Sequence, residues 1–143
     1  MSNWEPEVFE FARVAHGNQL DDSGKNYFQA HVLQTVALVK QLTTDEDIIS
    51  AAYMHDLIED TDVTFEEIQR RFGLRTADIV NEVTHEGKKD NYGRYFPRLH
   101  TKEGIMLKLC DRASNLSRMD SWSKERQEHY LKRTRFWKDG SDL

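Results

Sequence analysis

The chain has 143 residues, with 20 Lys plus Arg against 25 Asp plus Glu and a formal charge of −5. That length fits one domain around a single core, and the acidic balance excludes a general binder of nucleic acid or anionic membrane. The single cysteine excludes an intrachain disulfide and a cysteine-built zinc site and suits a reducing cytoplasm, and no apolar run approaches the ~20 residues of a membrane span.

Taken in chain order, the pattern predicts helices from end to end. Pro6 suits an early helical position, and Val8, Phe11, Ala12, Val14 and Ala15 recur at helical spacing behind it. Residues 17–27 carry Gly, Asn and Asp-Asp-Ser-Gly and read as a loop. A second helix is expected over 31–42. Thr44 is the expected N-cap of a third over 45–58, whose Ile48, Ile49, Ala51, Ala52, Met54, Leu57 and Ile58 place it at the centre of the fold. Thr64 and Glu67 form a capping box with a Val63–Ile68 staple, and Gly73 closes that helix. A helix over 76–85, a charged loop over 87–93 and a short helix over 92–99 follow. A long helix over 102–119 is expected to turn Ile105, Met106, Leu109 and Leu116 inward, and a last helix covers 123–137. No stretch alternates with period two, so the expected fold is all-α, one compact multi-helix domain over 1–143.

The polar residues inside these apolar helices are the informative ones. His55-Asp56 lies within the central helix, where a charged group needs a partner. For an isolated His-Asp pair, tying two helices together would be the better reading, because such pairs are common by chance. His31 opens the second helix, Asp111 lies amid apolar neighbours in the long one, and Glu59 and Asp60 follow His55-Asp56 one turn on. Together His31, His55, Asp56 and Asp111 make a four-ligand set suited to zinc, manganese or iron. Carboxylates converge in this way only around a cation.

The ordered segments Ala15-His16, Gln19, Ser23-Gly24, Tyr27 through His31, His55-Asp56-Leu57-Ile58-Glu59-Asp60-Thr61, Phe72-Gly73, Val83-Thr84 and Lys108-Leu109-Cys110-Asp111-Arg112 with Asn115 carry a resemblance. The sequence is similar to the HD-domain superfamily of metal-dependent phosphohydrolases. Within that superfamily it resembles the hydrolase domain of RelA/SpoT proteins and the free-standing small alarmone hydrolases of the metazoan SpoT-homologue type. The resemblance implies a 3′-pyrophosphohydrolase of (p)ppGpp-like nucleotides with one manganese ion per chain, held by His31, His55, Asp56 and Asp111. It implies that Glu59 and Asp60 orient or activate the attacking water and that Asn115 contacts the substrate. Lys25 and Arg118 are further candidates for substrate binding, and Lys88, Lys89 and Arg112 for the outer phosphates.

One position departs from the family. Where these proteins usually carry a basic residue two positions beyond the glutamine, with an arginine stacking on guanine, this chain has Asp21 and then Asp22. A carboxylate cannot stack as a guanidinium does, so Asp21 is read as an acceptor for base amino groups. Adenosine analogues such as (p)ppApp, or a pyrophosphorylated RNA end, then join guanosine as substrates. Two other readings are an antitoxin-type protein that neutralises a partner synthetase by contact, and a 5′-nucleotidase-like phosphohydrolase.

Overall fold

The computed structural model describes residues 4–21, 23–89 and 95–133, with the backbone alone for 86–89, 95–97, 121 and 133. Asp22, Tyr92 and Trp137, and the side chains of Lys88 and Lys89, lie outside the described part. Helix α1 (Trp4–His16) leads into the 17–27 loop, which a π-helical turn, Phe28–Val32, joins to α2 (Leu33–Leu42). Then come α3 (Glu46–Met54), the short α4 (Leu57–Asp60), α5 (Phe65–Phe72) and α6 (Leu74–Val83). Strands β1 (His85–Lys89) and β2 (Tyr95–Pro97) precede α7 (Lys102–Ser117), a 3-10 turn over Met119–Ser121, and α8 (Lys124–Arg133).

The third helix is central, as its apolar girth demands. Every residue from Ile48 to Met54 is buried, and α3 packs against α1, α2, α6 and α7. Its N-cap is Asp45 rather than Thr44: the Asp45 carboxylate accepts from the Asp47 and Ile48 N–H groups and also binds Arg75 at 2.8 Å. An ionised cap with a guanidinium partner outcompetes a neighbouring hydroxyl. Thr64 caps α5 by accepting from the Glu67 N–H, Ile68 is fully buried behind it, and Gly73 ends the helix at φ 100°, a conformation that L side chains avoid.

Three expectations change. First, the helix expected over 45–58 breaks at His55-Asp56. The His55 ring N–H donates to the Ala52 carbonyl at 2.7 Å, the acceptor that residue 56 would use in an uninterrupted helix. Asp56 takes φ −105°, ψ −1°, in the sparsely populated bridge region common at active sites. Second, where a loop over 87–93 and a short helix over 92–99 are expected, the described residues pair as an antiparallel ribbon of β1 and β2, with His85 opposite Pro97 and Lys89 opposite Tyr95, and 90–94 lie outside the described part. The fold remains all-α with this one small ribbon among the described residues.

Third, α7 turns a partly different face inward, although Met106 packs against the core as expected. Ile105, Leu109 and Leu116 are 43%, 52% and 42% exposed, whereas Gly104, Leu107, Lys108, Cys110, Asp111 and Ser114 are buried. The inward stripe is polar because it carries site residues. Thr101 caps α7 by accepting from the Gly104 N–H and donates its own hydroxyl to the buried Glu82 at 2.8 Å. No described helix is long and apolar enough to cross a membrane.

Candidate metal centre

The centre is assembled from three structural irregularities. The π-helical turn delivers His31, the α3–α4 break delivers His55 and Asp56, and the polar stripe of α7 delivers Asp111. One ligand atom from each of these four lies within 4.8 Å of the others. His31 Nε2 is 2.9 Å from Asp111 Oδ1, 3.4 Å from Asp56 Oδ2 and 3.1 Å from His55 Nε2. His55 Nε2 is 3.2 Å from both Asp56 Oδ2 and Asp111 Oδ1. His31 and His55 are 0% and 2% exposed, so these contacts are formed away from water.

The hydrogen bonds around the rings fix which nitrogen carries the proton. His55 Nδ1 faces a carbonyl, which only accepts, so it carries a proton, and Nε2 is the nitrogen that becomes bare when the ring is neutral. His31 Nδ1 lies 2.9 Å from Ser114 Oγ, whose own proton goes to Gln34 Oε1 at 2.8 Å. Ser114 therefore accepts from Nδ1, and His31 Nε2 is likewise the nitrogen that a neutral ring leaves free. With both rings neutral, two ring lone pairs and two carboxylate oxygens would face one another. The Tyr27 hydroxyl, which donates to Asp56 Oδ2, is the only neutral donor bound to this set among the described residues. Such a set of acceptors fits a borderline or hard divalent cation, and the outer hydrogen bonds orient its ligands as metal sites require.

Without an ion, the two rings take up protons in place of a cation. Burial pushes both imidazoles down, yet Asp56 and Asp111 overcome it and hold His31 raised and His55 well above the ordinary value. Burial pushes Asp56 and Asp111 up, but His55 and His31, and for Asp111 first the Lys108 ammonium, hold both well below theirs. Burial and Asp56 raise the Tyr27 phenol, which keeps it a donor.

Glu59 and Asp60 come from α4, beside the ligands. Burial chiefly, with Asp56 adding, pushes Glu59 up to about 6, although the His85 N–H donates to it at 2.9 Å. Burial and Asp56 also raise Asp60, which Gln19 approaches at 3.4 Å. Gln19 is itself oriented by the buried His16, whose Nδ1 is 2.8 Å from Gln19 Oε1.

Asn115 and Arg118 form a separate group with Asp21. Arg118 donates to Asn115 Oδ1 at 2.8 Å and to Asp21 Oδ2 at 3.1 Å. The other Asp21 oxygen accepts from the Ser23 N–H, the Ser23 hydroxyl and the Lys25 N–H. Both oxygens are engaged inside the protein, so the expected role of Asp21 as an acceptor for a base is replaced by that of a loop anchor. Lys25 contributes its N–H to that loop while its side chain is exposed. The residue reading missed Tyr27, Ser114, Gln34 and Lys108. Ser114 and Lys108 could have been found three residues either side of Asp111, on the same helix face.

The HD domain family matches residues 8–94. With that match over more than half its length, the chain belongs to this family. It is 37% identical to a guanosine-3′,5′-bis(diphosphate) 3′-pyrophosphohydrolase of Aquifex aeolicus, over 89% of this chain and 19% of that protein. It is 29% identical to a guanosine-3′,5′-bis(diphosphate) 3′-pyrophosphohydrolase of Drosophila melanogaster, over 87% of this chain and 77% of that protein. Among solved structures it is similar to one described as a metazoan orthologue of SpoT that hydrolyses ppGpp, with a TM-score of 0.76 and 26% identity, covering 92% of this chain and 81% of that one. The chain spans about a fifth of the length of the bacterial relatives it matches.

Proposed function

We propose that this chain is a manganese-dependent 3′-pyrophosphohydrolase of (p)ppGpp-like nucleotides, with residues 1–143 acting as one hydrolase domain in the cytoplasm. The observation that carries this reading is the convergence of four side chains able to ligate a cation, His31, His55, Asp56 and Asp111, beside a carboxylate pushed up to about 6. The names of the relatives supply the substrate class. A divalent ion held by those four side chains would counter phosphate charge and lower the pKa of a bound water.

The chain's own residues divide the remaining work. Glu59, pushed up to about 6, has the affinity for a proton that a base needs when it accepts one from water near neutral pH. Asp60, steadied by Gln19, holds the water from the other side. Asn115 presents its amide N–H groups to the nucleotide, because its oxygen is occupied by Arg118. With Asp21 tied into its own loop, base reading falls to Asn115 and Arg118, and these donors suit an acceptor edge. Guanine, with its carbonyl oxygen, is therefore the expected first choice over adenine.

The test is to incubate the purified chain with manganese and matched guanosine and adenosine 3′-diphosphates and follow pyrophosphate. Pyrophosphate release, faster with guanosine, is expected. Release of orthophosphate would turn the reading towards a nucleotidase. No turnover by protein that demonstrably binds the ion would remove it.

A further inference from the structure

Among the described residues, Lys108 is the only lysine or arginine in the buried set, at 8% exposure. Its ammonium lies 3.3 Å from Asp111 Oδ2, while Asp111 Oδ1 faces the two histidines. It makes no other ion pair or hydrogen bond among the described residues, and an ammonium has three protons to place. Its charge acts on Glu59 and on His85 as well as on Asp111.

A buried cation beside a site built for a cation is at first sight counterproductive, because the two repel. The arrangement makes sense as half of a site for an anion. Two neutral imidazoles and two carboxylates neutralise a divalent ion, which leaves Glu59 and Asp60 as the charge that an incoming phosphate meets. Once Asp111 shares its charge with an ion, Lys108 loses part of the charge of its ion-pair partner, and a buried charge short of a partner is costly. An anionic oxygen placed beside it restores the balance.

We propose that Lys108 is a substrate-binding residue that takes a non-bridging phosphate oxygen, and that it makes phosphate binding depend on the ion. The ion would create the deficit that the phosphate fills, so the two would bind with positive coupling. This deepens the hydrolase reading above and rests on its metal centre, but not on which nucleotide is cleaved.

The experiment is calorimetry on the full chain, with Mn²⁺ alone and then with inorganic phosphate added to the Mn²⁺-loaded protein. It compares the native chain with Lys108→Met, Lys108→Gln and Lys108→Arg, and circular dichroism checks each fold. Lys108→Met and Lys108→Gln should bind Mn²⁺ as tightly as the native chain or more tightly, because a repulsive charge has gone. They should bind phosphate roughly ten- to a hundredfold more weakly, the size of a lost charge-assisted hydrogen bond. Lys108→Arg should retain most of the phosphate affinity.

Loss of Mn²⁺ affinity in the neutral variants would overturn the proposal by making Lys108 a holder of Asp111. Unchanged phosphate affinity would also overturn it. If neither neutral variant folds, Lys108→Arg decides: a folded arginine variant that keeps both Mn²⁺ and phosphate binding upholds the proposal, and one that loses either overturns it. Lys108-dependent phosphate binding in a chain that cleaves no 3′-diphosphate would overturn the nucleotide reading alone.

Discussion

Ser114 is the residue that decides what His31 can be. Its hydroxyl proton goes to Gln34, so its oxygen takes the His31 Nδ1 proton and leaves Nε2 free to bind a cation. In Ser114→Ala the ring loses that acceptor and is free to rotate or change tautomer. Removing an outer partner of a ligating histidine costs about 10- to 100-fold in metal affinity, and calorimetric titration with Mn²⁺ should show a loss of that order with the fold intact. Glu59 calls for the opposite pattern. Glu59→Gln should keep Mn²⁺ affinity and lose about 10²–10⁴-fold in kcat, the usual contribution of a general base. Because a base works only when ionised and Glu59 is pushed up to about 6, the activity of the native chain should fall as pH drops through about 6. If Glu59→Gln stays active and keeps that acid limb, Asp60 is the base instead.

Helix α7 shows where sequence patterning succeeds and where it fails. Its existence was legible from Thr101, a capping residue ahead of a long run without proline, but its inward face was not. Counting apolar positions selects Ile105, Leu109 and Leu116, which are exposed, because the buried stripe had to hold Lys108, Asp111 and Ser114. The break after Met54 was hidden for a related reason. Every residue there is compatible with a helix, and what ends α3 is a side-chain bond from His55 to Ala52. The π-helical turn at Phe28–Val32 leaves no compositional mark. The four ligands themselves were legible because a charged residue within an apolar helix is costly without a purpose, whereas Tyr27 and Ser114 look like ordinary packing residues. The same helix supplies a stability test. A Cβ on Gly104 would lie 1.8 Å from Glu82 Oε2, so Gly104→Ala must displace a fully buried carboxylate or the helix end that it supports. Overpacking of this kind costs about 1–3 kcal/mol, to be read from the urea midpoint at unchanged slope.

The metal centre draws on segments from Phe28 to Ser117, so whatever occupies it should stabilise the molecule as a whole. Without an ion, protons on His31 and His55 are what separate the carboxylates. Both rings have raised pKa values in the fold, so the stability they contribute is fully present below the unfolded value of 6.5 and is lost as pH rises through the folded values. Asp56 and Asp111 are depressed, so their contribution is present above 3.8 and is lost only as pH falls through the folded values. Metal-free protein should therefore lose stability as pH is raised above 6.5, while a divalent ion, which needs deprotonated ligands, binds better over the same interval. At a hundredfold excess over its dissociation constant, an ion adds about 2.7 kcal/mol, roughly 5–10 °C in Tm for a chain of this size. The Tm difference between Mn²⁺-loaded and chelator-treated protein should thus be larger at pH 8 than at pH 6, and absent in His55→Ala. A shift that is the same at both pH values, or that survives in His55→Ala, would mean that the stabilising ion binds somewhere other than among these four side chains.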